Sequence, residues 1–554
     1  MSNRSQGAAI LLVIAVSLVF HTFIAYQDIG VLARNGFLYD DSFYAFKIAR
    51  NIAAGNGMTF DGIHPTTGFQ PLYVFILVPV YFFSGDNLIL PIYIALTFLA
   101  ICTCLTTCLI YRISRRYAGF AASICAALIW SLSPIVARQS ANGLETAFAT
   151  FVIALSAFYY LERVRPVQGV PPLHRFLVLG LLLGVAVLSR IDGILLVLAL
   201  LLDYLLLLRR RGVAAGKASP VLLIPAGIII LYGPWLLFNI IESGNALQDS
   251  GTATRYLSLA YAPYFHNGSG SLASSGPDIA FIWKHFIHSL KTMRALPPVH
   301  VIFHSIHKAG SIMNTRTLFD TLANTGGLAL LVFAGFSMLK WRKDRARSGR
   351  LEIGFLILFC ALLLLSYSTY IFGSFFFVRY YFPVYFVGSL VFAFLLQDLL
   401  DWFGRKSLSV RRIAITAAAI YSGFFIYFSW SQSFRSWPVY PFYDIAGWVD
   451  RNVGENETVG VLQCGTIGYF SGRKVINLDG KVNREALSAL KDNNLPSYVE
   501  TEDIDIIIDH CRILEIFLDL SPDEIEKSCT PIKSGPMGGP TGWISYRPES
   551  AGVN

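Results

Sequence analysis

Pro71-Leu72-Tyr73-Val74-Phe75-Ile76-Leu77-Val78-Pro79-Val80-Tyr81-Phe82-Phe83 is a continuous apolar run, and whether it crosses a membrane decides how the rest of the chain is arranged. As a helix these residues reach only about 20 Å, against about 30 Å of hydrocarbon. Counting the run as a span would also put every later basic loop on the outer side. Those loops carry Arg112/Arg115/Arg116, Arg163/Arg165/Arg175, Arg209/Arg210/Arg211/Lys217, Lys340 to Arg350, and Arg405/Lys406/Arg411/Arg412. The positive-inside rule places all of them in the cytoplasm. The run is therefore read as a juxtamembrane helix lying in the interface.

With that helix set aside, the spans fall at 7–26, 89–111, 119–138, 147–161, 176–189, 194–208, 219–238, 321–340, 352–372, 380–400 and 412–430. The chain has 554 residues, 54% of them hydrophobic and 14% charged, which is the composition of a polytopic α-helical membrane protein. Eleven spans, with the amino terminus inside, leave 27–88, 139–146, the turn 190–193, 239–320, the turn around Arg379 and 431–554 outside. The run Ala8 to Tyr26 lacks a small-residue cleavage site and reads as an uncleaved first helix. A net charge of +9 could suit nucleic acid, but the basic residues sit in short loops where they set orientation.

Working outward from Pro71, the preceding loop holds Tyr39-Asp40-Asp41-Ser42-Phe43, followed by a predicted amphipathic helix Phe43 to Ala54 that Gly55 stops. A charged side chain at the centre of a membrane helix costs roughly 2.5–3.5 kcal/mol, so this acid pair belongs at the aqueous rim. One Asp could be an ordinary N-cap; a second beside it adds a repulsion that capping does not require. Lys47, Arg50 and Asn51 share one face of the helix by their spacing.

The outer segment 239–320 carries Tyr256, Tyr261, Tyr264 and Phe265, then an apolar-aromatic run from Ile279 to Leu290, and is expected to fold over the outer surface. Beyond Trp437, Thr458 to Leu462, Lys474 to Leu478 and Ile504 to Ile508 read as short strands of a small α/β domain. Cys102, Cys104, Cys108, Cys125 and Cys360 fall in apolar runs as small hydrophobes. Cys464, Cys511 and Cys529 lie in the polar part, where a Cys511–Cys529 disulfide stays open. The inner loops carry no nucleotide fingerprint, and no His or Cys spacing supports zinc.

These outer residues resemble the GT-C superfamily of membrane glycosyltransferases, in the branch of protein O-mannosyltransferase-like and aminoarabinose-transferase-like enzymes. Tyr39 to Phe43 with Ala49-Arg50-Asn51 and Gly55-Asn56-Gly57 looks like the family's first outer loop. Thr67-Gly68-Phe69-Gln70-Pro71-Leu72 resembles the approach to its juxtamembrane helix, and Gly143-Leu144-Glu145-Thr146 and Ser189-Arg190-Ile191-Asp192-Gly193 resemble later outer-loop motifs. Ile467 to Gly472 and Ile476-Asn477-Leu478-Asp479-Gly480 are similar to a segment in relatives of mycobacterial arabinofuranosyltransferases. The acid pair departs from the Asp-Glu of the aminoarabinose transferases.

The resemblance implies an inverting glycosyltransferase that moves a sugar from a polyprenyl-phosphate donor to a glycan, lipid or protein acceptor at the outer face of the bacterial inner membrane. It divides the chain into a catalytic transmembrane domain, 1–430, and an extracytoplasmic α/β domain, 431–554. Asp40 is then the expected base and Asp41 its positioning neighbour. Arg190, Arg255 and Arg379 are candidates to meet the lipid phosphate. Arg190 could equally pair with Asp192, and Arg379 could be an interfacial anchor. Lys47, Arg50, His64, Glu145 and Asp192 complete the candidate substrate-binding set, although Glu145 and Asp192 also suit helix-end caps and His64, before Pro65, an ordinary loop residue. No cofactor is required; a divalent cation on Asp40 and Asp41 is compatible but not demanded. Rival readings are a secondary transporter, which would gather charge at the bilayer midplane, and an O-antigen ligase or polymerase.

Overall fold

In the computed structural model the described residues are 3–167, 170–212, 220–266, 348–369, 378–404, 441–518, 527–533 and 543–548, with a few isolated positions. The chain is a multi-pass helical membrane protein. Long apolar helices form α1 (Asn3–Ala25), α5 (Leu90–Arg115), α8 (Thr146–Tyr159, continued by a π turn to Val164), α9 (Leu173–Ser189), α10 (Gly193–Arg210), α11 (Leu223–Ser243), α13 (Gly354–Thr369) and α14 (Val378–Gly404). Between α5 and α8, α6 (Phe120–Leu132) and α7 (Pro134–Ser140) meet at a 57° bend, at Pro134, whose missing N–H breaks the helical ladder.

Among the described residues six helices are long and apolar enough to cross a bilayer, or seven if the bent pair is one span. Two expected spans fall short of that test for plain reasons. α9 has only 17 residues, and α10 carries Asp203, Arg209 and Arg210. Both nevertheless run between the same two ends as their neighbours. At one end, Arg116 pairs with Glu162 at 3.0 Å, Arg165 with Asp203 at 3.1 Å and with Glu352 at 3.2 Å, and Arg350 with Asp398 at 2.7 Å. These pairs gather residues of the basic loops. The opposite end holds the acid pair and the turns 139–146 and 190–193.

The spans expected at 321–340 and 412–430 lie outside the described residues, as does most of 239–320, including the apolar-aromatic run. On either side of them the chain changes ends. Asp249, opening α12 (Asp249–His266), bonds Thr67 at the acid-pair end, whereas Trp341 donates to Asp398 at the basic end.

At the acid-pair end lie α2 (Ile29–Arg34), α3 (Asp40–Ala53) and α4 (Pro71–Ser84). α4 is the apolar run of the opening argument. It buries Tyr73, Val74, Leu77 and Tyr81 and leaves Phe82 and Phe83 exposed, 67% and 84%. A helix of this length with one apolar face unpaired suits the interface. A cysteine placed at Ser84 is expected to react with an impermeant thiol reagent from the outer side; labelling only from the cytoplasm would overturn this arrangement.

The carboxy-terminal part begins with α15 (Phe442–Asn452). It continues through β1 (Thr458–Val461), α16 (Gly465–Phe470), β2 (Lys474–Asn477), α17 (Arg484–Lys491), α18 (Leu495–Thr501), β3 (Ile506–His510), α19 (Cys511–Leu518), β4 (Cys529–Lys533) and β5 (Trp543–Tyr546). One sheet orders them β2-β1-β3-β5-β4, with β2, β1 and β3 parallel and the last two antiparallel. The three parallel strands stand where the β-branched runs predict them; β3 starts two residues later, because Ile504 still bonds back to Val499. Cys511 and Cys529 are both free thiols. Since the chain leaves β1 for β2 on one side and returns to β3 on the other, the order reverses at β1, and ligands in such sheets bind outside the carboxyl ends of the strands at that reversal.

Candidate active site

The carboxyl end of β1 lies against the acid pair. In α3 the N-cap is Tyr39, with no side-chain capping bond, so neither Asp40 nor Asp41 caps its own helix. Asp40 instead receives the next one. Its Oδ1 accepts from the Thr466 amide and hydroxyl, both at 2.7 Å, and its Oδ2 from the Gly465 amide at 3.2 Å. A Cβ on Gly465 would stand 2.1 Å from the Asp40 carbonyl oxygen, so only glycine allows this approach. Desolvation pushes the Asp40 carboxyl up to about 7; the Thr466 bonds pull it down in part, and the charge of Asp41 adds to the rise.

Asp41 has the opposite environment. Arg379 donates to it at 2.5 Å, and Lys481 stands 3.6 Å away while also pairing with Asp479 at 3.0 Å. Against the desolvation that would raise it, Lys481 and Arg379 hold Asp41 well below the ordinary carboxylate range. The adjacent acids thus sit in opposite settings, Asp41 favoured as the anion by its cations and Asp40 held toward the neutral form by burial, the pattern by which paired carboxylates can take different roles. Lys481 itself is raised, since Asp41 and Asp479 outweigh its burial.

The other expected site residues divide. Arg190 is buried and fully engaged as an ion-pair centre. It donates to Glu145 at 2.7 Å, to Asp192 at 3.0 Å and to the Tyr367 hydroxyl at 2.9 Å. The pairing alternative is therefore what the fold contains, and Glu145 and Asp192 belong to the same cluster. Lys47 lies near Asp61 and Cys464, its ammonium lowered to about 8 by burial and then by Arg50. On the same face Asn51 holds the loop backbone at Thr59 and Phe60. Arg255 sits on α12, whose Asp249 bonds Thr67 and pairs with Arg484. Arg379, the third candidate arginine, reaches the acid pair through Asp41.

His64 is neither alone nor an idle loop residue. Its Nδ1 meets Asp61 at 2.7 Å, and its Nε2 faces Glu502 at 3.4 Å and Glu485 at 3.7 Å. The Asp61 bond lifts the ring above its ordinary value, against burial. Linear spacing offers no hint of this cluster, because more than 400 residues separate its two halves. Gly465, Thr466 and Lys481 also escape a search for catalytic residue types. Their only sequence signal is that they border the family-like segments 467–472 and 476–480.

Residues 85–238 match a family model described as dolichyl-phosphate-mannose-protein mannosyltransferase, and 429–547 match a domain of unknown function (DUF8728). No curated protein gives a significant match. Among solved structures, the archaeal oligosaccharyltransferase AglB from Archaeoglobus fulgidus, in complex with an inhibitory peptide and a dolichol-phosphate, superposes with a TM-score of 0.53 at 15% identity, covering 96% of this chain and 74% of its own. The Archaeoglobus fulgidus oligosaccharyltransferase tethered to an acceptor peptide gives 0.54 at 12% identity, covering 98% and 74%. ArnT from Cupriavidus metallidurans bound to undecaprenyl phosphate covers 98% and 99%, at 14% identity and a TM-score of 0.45. The chain has the GT-C fold.

Proposed function

We propose that this GT-C-fold membrane protein is a glycosyltransferase that moves a sugar from a polyprenyl-phosphate carrier to a hydroxyl-bearing acceptor of the cell envelope, at the outer face of the bacterial inner membrane. The observation that carries the reading is the division of labour between Asp40 and Asp41. A carboxyl raised to about 7 is a base matched to neutral pH, and an Arg-Lys pair beside it is matched to an anionic leaving group.

In this reading Asp40 takes the proton of the acceptor hydroxyl as its oxygen attacks the anomeric carbon. The bond from that carbon to the phosphate oxygen breaks on the far side, its electron pair leaves with the phosphate, and the configuration inverts. Arg379, 2.5 Å from Asp41, meets the growing charge, and Asp41 holds the guanidinium in place. The carrier tail stays in hydrocarbon, since each CH₂ moved into water costs roughly 0.8 kcal/mol. The division into a transmembrane catalytic domain, 1–430, and an extracytoplasmic α/β domain, 431–554, belongs to the same proposal. The α/β part supplies Gly465, Thr466 and Lys481 to the site.

The purified full chain, given a labelled polyprenyl-phosphate sugar and envelope extract, should release free polyprenyl phosphate in step with label appearing on acceptor. Vesicles that accumulate label with the carrier bond intact would instead identify a transporter.

A further inference from the structure

We infer that His64, Glu485 and Glu502 form a binding site for a divalent transition-metal ion of the zinc class, one that fastens the first outer loop to the carboxy-terminal sheet. The three residues come from separate places. His64 stands in the loop between α3 and α4, Glu485 in the first turn of α17, and Glu502 at the end of α18. Their ligand atoms all lie within 4.8 Å of one another.

Geometry decides which ring nitrogen is presented, since Nδ1 is engaged by Asp61 and Nε2 faces the two glutamates. Asp61 accepts from the His64 and Ile63 amides on Oδ1, at 2.9 Å each, and meets His64 Nδ1 on Oδ2. A carboxylate so placed accepts from Nδ1–H, and in the neutral ring that a metal requires this leaves the lone pair on Nε2, the orientation seen behind metal-binding histidines. Nε2 faces two carboxylate oxygens, and an ion takes the place of the proton that would otherwise lie between them.

The spacing fits an ion between them. At 3.4 and 3.7 Å the Nε2 to oxygen distances exceed the usual span of about 2.7–3.2 Å for an N–H···O bond. Metal–ligand bonds of about 2.0–2.2 Å in a tetrahedron hold neighbouring ligand atoms roughly 3.3–3.6 Å apart. One nitrogen and two carboxylate oxygens suit zinc and its neighbours, whereas calcium and magnesium favour oxygen alone. The Asp61 and His64 side chains are nearly fully buried, and Glu485, 68% exposed, faces solvent where water completes the shell.

The mechanical role follows from what the two sides carry. Gly68, in the same loop as His64, packs so closely on the Lys481 carbonyl that a Cβ there would stand 1.9 Å away. Glu485 follows four residues after Lys481. An ion at His64 therefore fixes the loop against the segment that delivers Lys481 to Asp41.

Chelator-treated full-length protein in detergent should take up one equivalent of ZnCl₂ by calorimetric titration, and CoCl₂ should give the visible bands of a four-coordinate site. His64→Ala should abolish both signals. Glu485→Gln, at an exposed position that does not endanger folding, should weaken uptake at least 10-fold, and Asp61→Asn by about 10–100-fold. No uptake by wild type would mean that a proton on His64 bridges the carboxylates, and uptake unchanged in both His64→Ala and Glu485→Gln would place the ion elsewhere; either result overturns the site. Sugar transfer is not read in this experiment, so its result is separate from the proposed reaction.

Discussion

Asp40→Asn is expected to lower kcat by about 10²–10⁴-fold while leaving donor binding nearly unchanged, because a general base acts only in the transition state. Asn preserves the side-chain shape, so the segment Gly465-Thr466 should still dock. The wild-type pH profile supplies a second readout. Asp40 must be ionised to accept a proton, and its carboxyl is raised to about 7, so turnover should fall as pH drops through that value. Stability runs the other way. A carboxyl raised on folding contributes stability that is fully present below its unfolded value of 3.8 and is lost as pH rises through about 7. Thr466→Val, which removes one bond to the charged form, should move the activity profile upward in pH. If Asp40→Asn turns over normally and Asp41→Asn does not, the roles of the two acids are exchanged.

Arg379→Ala should be nearly as severe, with a loss of about 10²–10³-fold in kcat, the scale of removing one fixed donor from a developing negative charge. It also strips Asp41 of its nearest cation. Because Asp41 is held low on folding, its contribution to stability is present above 3.8 and lost as pH falls through its depressed native value. Removing Arg379 should raise that native value and bring acid unfolding to higher pH. Arg379→Lys separates the two roles. It restores charge for Asp41, and hence acid stability, without restoring a planar fork for phosphate. Wild-type turnover in Arg379→Ala would remove this residue from the leaving-group side.

How much of this was legible in the sequence depended on whether the signal was local. The apolar run at Pro71 read directly as a short helix, and the basic loops as residues gathered at one end of the long helices. The strands at Val459, Val475 and Ile507 announced themselves by β-branched runs. β4 and β5 did not, because Cys529 to Lys533 includes a proline and Trp543 to Tyr546 has no run of β-branched residues. At the site, Asp40 and Asp41 stood out because paired acids beside lipid are costly, and Arg379 because it had been placed on the same side. What stayed hidden were contacts made across the chain. Nothing in Gly465 or Thr466 marks them as partners of Asp40, and Arg190 looked available until its fold-dependent neighbours Glu145 and Tyr367 closed around it.

The bond from Thr466 to Asp40 spans 426 positions of chain. A ribosome adding about 5–20 residues per second needs on the order of 20 to 90 s to travel between them. Through that interval the acid pair is already made, while the segment that dries and orients it is still unsynthesised. A nascent chain thus carries Asp40 without its partners Gly465 and Thr466, and products truncated before them lack the bonds that hold its carboxyl.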